Sequence, residues 1–145
     1  MSTVKRLESG IVDLLRDCMG EYRIGAAWDQ DSMKAFYSED GAVVVQVTAI
    51  NPAHPDNPGL PDYRAEVTIR GRTSMATDKD KSLFNRIATL VMARANSVTV
   101  SELSAATGAT VAAWLAGGMI RGTVEEDHQF EIKRSMIVLD LEFEA

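Results

Sequence analysis

Few residues in this chain combine the types and the spacing that site chemistry requires. His54 stands two residues before Asp56, which places an imidazole and a carboxylate near enough to share a metal ion or a proton. Protein metal sites need several His or Cys ligands at fixed spacing. Neither His128 nor the single cysteine, Cys18, stands at such a spacing from His54. We therefore expect no metal site and no cofactor.

A catalytic set is equally hard to recognise. Covalent catalysis needs a nucleophile, a base beside it and a group that orients the base, and the sequence shows no such combination. The glycines follow no phosphate-binding pattern. Cys18 lies on the apolar stripe of a predicted helix, so we expect it to be a buried small side chain rather than a reactive thiol. We expect no enzymatic activity, with an enzyme of unusual type as an open alternative.

Residues 98–120, VTVSELSAATGATVAAWLAGGMI, have the pattern of a DNA-reading helix-turn-helix. The pattern predicts a short helix through Leu103, a turn at Thr107 and Gly108, and a second helix that carries Val111, Trp114 and Leu115. A reading helix needs polar side chains for base edges and cations for phosphates. The predicted second helix has no Arg, Lys, Asn or Gln. We expect a packing role and no sequence-specific nucleic-acid binding, and keep a helix-turn-helix regulator using residues 98–120 as the alternative function.

The whole-chain totals point to an ordinary globular protein. The chain has 145 residues, the size of one domain, with 46% hydrophobic and 25% charged residues. Its net charge of −6 argues against a broad nucleic-acid footprint. One cysteine cannot form an internal disulfide, which fits a reducing compartment. No stretch has the length and apolarity of a signal peptide or a membrane span, so we expect no membrane partner.

Charge is distributed unevenly along the chain. Residues 64–94 contain seven basic groups against three acidic ones, whereas residues 121–145 contain three basic groups against seven acidic ones. One interpretation is that solvated faces differ by chance; the other is that copies of the chain meet basic face to acidic face. The candidate contact residues are Arg64, Arg70 and Arg72 on the basic side, and Glu125, Glu126 and Asp127 on the acidic side.

The first half of the chain is predicted to form a helix and two strands. Apolar residues at helical spacing predict an amphipathic helix over 3–18. Residues 21–33 are expected to be irregular. Asp40-Gly41 between apolar runs predicts a hairpin that joins a short strand at 34–38 to a strand at 42–50. The second of these strands is apolar on both faces, which indicates a central strand covered on both sides.

The second half begins with a proline-rich loop at 51–62, which contains all four prolines. Its reach makes a partner contact plausible for His54, Pro55, Asp56 and Asn57. A strand at 63–72 alternates apolar and polar residues, so one of its faces is expected to be wet. A helix capped by Thr77 or Asp78 is expected to end near Asn96. Strands follow at 119–125 and 130–143, and the last one changes its apolar phase near 135–138 through a bulge or through burial of both faces.

These elements predict a single α+β domain over residues 1–145. We expect a mainly antiparallel sheet that is packed by two amphipathic helices and a short third helix.

The order of these elements resembles that of the tail terminator and tail completion proteins of long-tailed bacteriophages. The resemblance lies in the N-terminal helix, the strand ending IRGRTSMATDKD, the helix KSLFNRIATLVMARAN and the closing strand IKRSMIVLDLEFEA. It implies a virion protein, assembled in the host cytoplasm, that forms a hexameric ring at the head-proximal end of the tail tube. Such a ring stops polymerisation of the tube, and its implied partners are other copies of the chain, the tail tube protein and a head–tail connector or neck protein.

Overall fold

A computed structural model describes residues 3–52, 56, 62–74, 78, 80, 82–115, 121–127 and 130–144, with the three strands after residue 109 described mainly by their backbone pairing. Four helices and six strands occur in these ranges. In chain order they are α1 (Thr3–Arg16), β1 (Ile24–Ala26), α2 (Gln30–Ser38), β2 (Val43–Pro52), β3 (Asp62–Ser74), α3 (Ser82–Ser97), α4 (Val100–Thr107), β4 (Thr110–Leu115), β5 (Arg121–Asp127) and β6 (Phe130–Glu144).

The six strands form one mixed sheet in the order β1-β2-β3-β6-β4, and β5 pairs with β6 as well. β1 runs parallel to β2, and all the other pairs are antiparallel. β4 pairs with residues 140–144 of β6 and β5 with residues 130–136, so both lie along the same edge of β6. The α+β class is confirmed; the expectation of three helices was wrong, because four are present.

One face of the sheet holds the main core. α1 contributes Leu7, Ile11 and Leu15, which confirms its predicted apolar stripe, and these side chains pack with Val45 of β2 and Ile69 of β3. α3 and α4 complete the layer with a further buried set: Ile87, Val91, Ala95 and Leu103. Burying this apolar surface is the main force that holds three helices on one side of the sheet.

The helix α2 replaces the strand predicted at 34–38 and part of the segment predicted to be irregular. Its apolar residues Met33, Phe36 and Tyr37 recur at helical rather than alternating spacing, and Phe36 is fully buried. Gly41 still makes the predicted turn, with a positive φ of 78° that suits glycine. The turn leads from a helix into β2, so the predicted hairpin was wrong.

α2 packs against the sheet face opposite α1. Val44 alternates with the core residues Val43 and Val45, and all three are buried. Phe36 of α2 contacts Arg70, which alternates with the core residue Ile69 along β3. Burial on both sides confirms that β2 is a central strand. β2 also extends to Pro52, so the first two residues of the predicted loop belong to this strand.

The stretch that resembles a helix-turn-helix forms one helix followed by a strand. α4 is the predicted first helix, and Thr99 caps it in a reciprocal pair with Glu102. Gly108 ends it with a positive φ of 70°. The predicted second helix was wrong: Thr110–Leu115 is β4, which pairs with β6. Free hydrogen-bonding groups on the β6 edge compete with local helix formation, and β-branched Thr110 and Val111 favour the strand.

The change of apolar phase in β6 occurs where its pairing with β3 is regular. The pairing of β6 with β3 runs without a register shift from Ile132 to Glu144, so the predicted bulge is not present there. Ile137 pairs with Ile69 on the core face, and Val138 pairs with Thr68 on the other face. Thr68 is only 4% exposed. Since Ile69 is also buried, both faces of β3 are buried beside this part of β6.

Candidate interaction surfaces

The three arginines predicted to lie on a wet strand face have different environments. Arg64 is exposed, Arg70 is partly buried and Arg72 is only 5% exposed. Arg64 and Arg72 are eight residues apart on β3, which corresponds to about 26 Å. α2 covers the Arg72 end of this face, so the expectation of a uniformly wet face was wrong. The arginines do not form a single patch.

Arg70 and Arg72 both contact Phe36 of α2. The Arg72 Nη1 group donates a hydrogen bond to the Phe36 carbonyl oxygen at 3.1 Å. This carbonyl belongs to the last turn of the helix, where a cation is favourable. The Arg70 guanidinium lies over the Phe36 ring at 5.2 Å from its centroid, a cation–π arrangement. The Nε atoms of both arginines are buried without an acceptor.

The predicted acidic segment lies in β5, where Glu125, Glu126 and Asp127 pair with Ile132, Glu131 and Phe130 of β6. β6 also pairs with β3, and it places Ser74 opposite Ile132. The basic and acidic segments are therefore separated by a single strand, or about 10 Å across the sheet.

Of the four loop residues predicted to reach a partner, the described part of the chain includes only Asp56, which is exposed in a turn. His54, Pro55 and Asn57 lie outside the described residues, as does His128. The pairing of Pro52 with Tyr63 confirms that the loop joins two antiparallel strands. Asp56 is therefore at the Arg64 end of the sheet, and the acidic segment is at the opposite end.

Among the described residues, the most tightly enclosed charged side chain is Glu8 of α1, which the sequence pattern did not single out. Glu8 is 2% exposed. Its Oε1 accepts a hydrogen bond from the Trp28 backbone N–H and its Oε2 accepts one from the Val47 backbone N–H, both at 2.9 Å. β1 ends at Ala26, so the carboxylate takes the place of further β1 residues beside β2. Only its position next to Leu7 in the helix hinted at burial.

Burial raises the pKa of the Glu8 carboxyl above its ordinary value of 4.5, and the hydrogen bonds from Val47 and Trp28 offset this only in part. The folded state therefore holds the Glu8 proton to a higher pH than the unfolded chain does. The resulting contribution to stability is fully present below pH 4.5 and is lost as the pH rises through the raised pKa.

This shift predicts a pH dependence that Glu8→Gln removes. We expect the stability of the wild type relative to Glu8→Gln to increase as the pH falls from 7 towards 4.5, because only the wild type takes up the Glu8 proton on folding. Urea unfolding of both proteins at several pH values measures the difference. The other carboxyl groups titrate in both proteins, so their contributions to the pH dependence of stability cancel in the comparison. A difference that stays constant over this range would contradict the raised pKa.

Two further charged side chains join the ends of elements. The Arg94 Nε of α3 donates to the Leu14 carbonyl oxygen at 2.9 Å, and its Nη2 lies 3.4 Å from both Asp17 and Glu102. Asp78 is buried and accepts hydrogen bonds from the Leu83 and Phe84 backbone N–H groups at 3.0 Å each. The capping role predicted for Asp78 is thus confirmed, although the helix itself begins at Ser82.

Cys18 is exposed, which corrects the expectation of a buried side chain. α1 ends at Arg16, so Cys18 lies in the following turn rather than on the helical stripe. Within the described residues, no group of three or more His, Cys, Asp or Glu side chains is arranged to hold a metal ion. None of the described helices is both long and apolar enough to cross a membrane.

The two edges of the sheet differ. The Arg23 carbonyl oxygen accepts a hydrogen bond from the Val43 N–H of β2, and the Ala27 N–H donates one to the Val45 carbonyl oxygen. Because successive residues of a strand face opposite edges, the carbonyls of Ile24 and Ala26 point away from β2. The Ile24 carbonyl accepts from the Arg16 Nη2 at 3.0 Å, and the Ala26 carbonyl accepts from the Asp29 N–H at 3.1 Å. Both outward carbonyls of β1 therefore already have donors within the chain. At the other edge, no described strand pairs with the outer side of β4 or β5.

Together the fold and its surfaces define an α+β protein in which several charged side chains join elements to each other. No family model matches the chain, and none of the curated proteins is significantly similar to it in sequence.

Proposed function

We propose that the chain is a structural subunit of a bacteriophage tail. Copies of it form a ring, with six subunits the number implied by the resemblance, at the head-proximal end of the tail tube. The ring stops polymerisation of the tube and offers a surface to the head connector or a neck protein. The protein is part of the virion after assembly in the host cytoplasm, and it has no enzymatic role.

The observation that supports this proposal most is the difference between the two sheet edges. Arg16 and Asp29 already bond the outward carbonyls of β1, which disfavours continuation of the sheet from the β4–β5 edge of one copy to the β1 edge of the next. We therefore infer that copies associate through side chains on their faces. Contacts of this kind between two different surfaces close into rings when the rotation permits it. A closed ring is suited to ending a polymer.

The alternative function, a DNA-binding regulator, has no such support. Its recognition helix would occupy Thr110–Leu115, which is the strand β4. A helix-turn-helix needs that second helix in the major groove.

The proposal is tested by adding the purified chain to tail tube protein from the same phage during polymerisation. We expect shorter tubes that carry extra density at one end, visible by electron microscopy, because a bound ring blocks further addition. An acidic protein of similar size serves as the control and leaves tube length unchanged. Tubes of unaltered length with no bound chain would rule out a terminator role.

A further inference from the structure

A groove, which we call the Trp28 groove, lies between the outer side of α1, the strand β1 and the start of α2. Val12 of α1 and Gly25 and Ala26 of β1 line it, and all three are buried. The side chain of Trp28 also lines it and is 43% exposed. The groove has a volume of about 130 Å³, and an enclosed apolar cavity of about 150 Å³ accommodates benzene. The space therefore suits a single aromatic ring.

The indole of Trp28 is held in place by residues of α1. Its Nε1 donates a hydrogen bond to the Ser9 Oγ at 2.9 Å, and the Lys5 ammonium lies 5.1 Å from the ring centroid. The Trp28 backbone N–H donates to Glu8, so the main chain is fixed as well. A surface that is ordered before binding loses little conformational entropy in a contact. The Trp28 groove is therefore preformed for a partner side chain.

Charged side chains also line the Trp28 groove. The carboxylates of Asp13 and Asp29 lie there with the guanidinium of Arg16, so negative groups outnumber positive ones by two to one. Arg16 already donates a hydrogen bond to the Ile24 carbonyl oxygen at 3.0 Å. A carboxylate accepts a hydrogen bond from a phenol, and it attracts a nearby ammonium group. These surroundings favour a tyrosine that has a lysine beside it.

The chain presents such a tyrosine near the C-terminal end of α2. Tyr37 is 51% exposed, more than any other large hydrophobic side chain among the described residues. Tyr22 and Tyr63, in contrast, are partly buried. Lys34 is exposed and lies one turn before Tyr37 on the same side of the helix. The Trp28 groove is at the other end of α2, and Tyr37 does not line it, so a tyrosine that fills the groove must come from a second copy.

We propose that Tyr37 of one copy inserts into the Trp28 groove of a second copy, with Lys34 beside the carboxylates that line the groove. This inference rests on the proposed ring and names a contact between its subunits. Because the groove and Tyr37 are at different ends of α2, each subunit can use both surfaces at once, which is the arrangement of a head-to-tail ring. Tryptophan and tyrosine are among the side chains that contribute most binding free energy to protein interfaces.

The test is a double-mutant cycle in which assembly is measured by sedimentation velocity and light scattering. Tyr37→Ala and Trp28→Ala are each expected to weaken assembly at least about tenfold, because each removes one ring of the contact. The double variant is expected to be little weaker than either single variant, since both substitutions remove the same contact. Val100→Ala removes an exposed apolar side chain from the start of α4 and assembles like the wild type. Circular dichroism confirms that each variant is folded.

Four results would overturn the inference, and they differ in what else they affect. If the wild type forms rings and both single variants do so equally well, this contact is wrong and the ring stands. If only one variant weakens assembly, or if the two effects add in the double variant, the two rings do not meet. If both variants assemble but Trp28→Ala no longer binds tail tubes, the groove holds tube protein instead. If the wild type stays monomeric even with tail tube protein, both the contact and the proposed ring are wrong.

Discussion

Replacing Glu8 by alanine is expected to destabilise the protein by about 2–4 kcal/mol, since each buried donor left without a partner costs about 1–3 kcal/mol. The Glu8 carboxylate accepts hydrogen bonds from the backbone N–H groups of Trp28 and Val47, and alanine offers no acceptor for either donor. The loss separates α1 from the junction between β1 and β2. Urea unfolding at pH 7 measures this change in the free energy of unfolding.

Two further variants make the Glu8 result specific. Glu8→Gln is expected to cost roughly half as much, because the amide keeps one oxygen acceptor but directs an N–H group at the other donor. Asp13→Ala removes an exposed acid from the same helix, where the ion pair with Arg16 is solvated, and we expect a change below about 0.5 kcal/mol. Equal effects of Glu8→Ala and Asp13→Ala would show that the hydrogen bonds of Glu8 do not stabilise the fold.

The second large effect is expected from Gly10→Ala. Gly10 of α1 faces the end of α4, and an added Cβ would lie 2.6 Å from the Ala106 carbonyl oxygen and 2.8 Å from the Thr107 Cα. These atoms belong to the backbone and cannot rotate away, so the two helices must move apart. Overpacking of this kind costs about 1–3 kcal/mol, and we expect the upper part of that range. Thermal and urea unfolding both report it.

Gly20→Ala is the matched control. A Cβ at Gly20 would meet only the Arg16 carbonyl oxygen, at the ordinary contact distance of 3.8 Å. We expect its stability to stay within about 0.5 kcal/mol of the wild type. If Gly10→Ala were as stable as Gly20→Ala, the close approach of α1 and α4 would not be a requirement of the fold.

These predictions share a structural theme. Glu8, Asp78, Arg72 and Arg94 each use a charged side chain to bond the backbone at the end of a helix or a strand. Backbone N–H and C=O groups at the ends of helices and strands lack a partner within the regular hydrogen-bonding pattern. Each of them costs free energy when it is buried without another partner. These four charged side chains therefore help to maintain the fold.

The sequence by itself determined the elements whose pattern is strong and local. α1 and α3 follow from apolar residues at helical spacing, α4 is the short helix predicted to run through Leu103, and the valines of β2 indicate a strand buried on both sides. These features depend on residues a few positions apart, so local spacing and capping chemistry are sufficient to predict them. The basic and acidic segments were also evident from sequence counts alone.

Only the tertiary structure decided the rest. Residues 110–115 form a strand because the edge of β6 supplies hydrogen-bond partners from about 30 residues further along the chain. Glu8 is buried because β1 ends early beside β2, and Arg72 is buried because α2 crosses its face of the sheet. The pairing of β3 with β6 joins segments that are tens of residues apart, with two helices between them in the chain. Each of these features arises from a contact between distant segments, and local patterns do not encode which distant segments will meet.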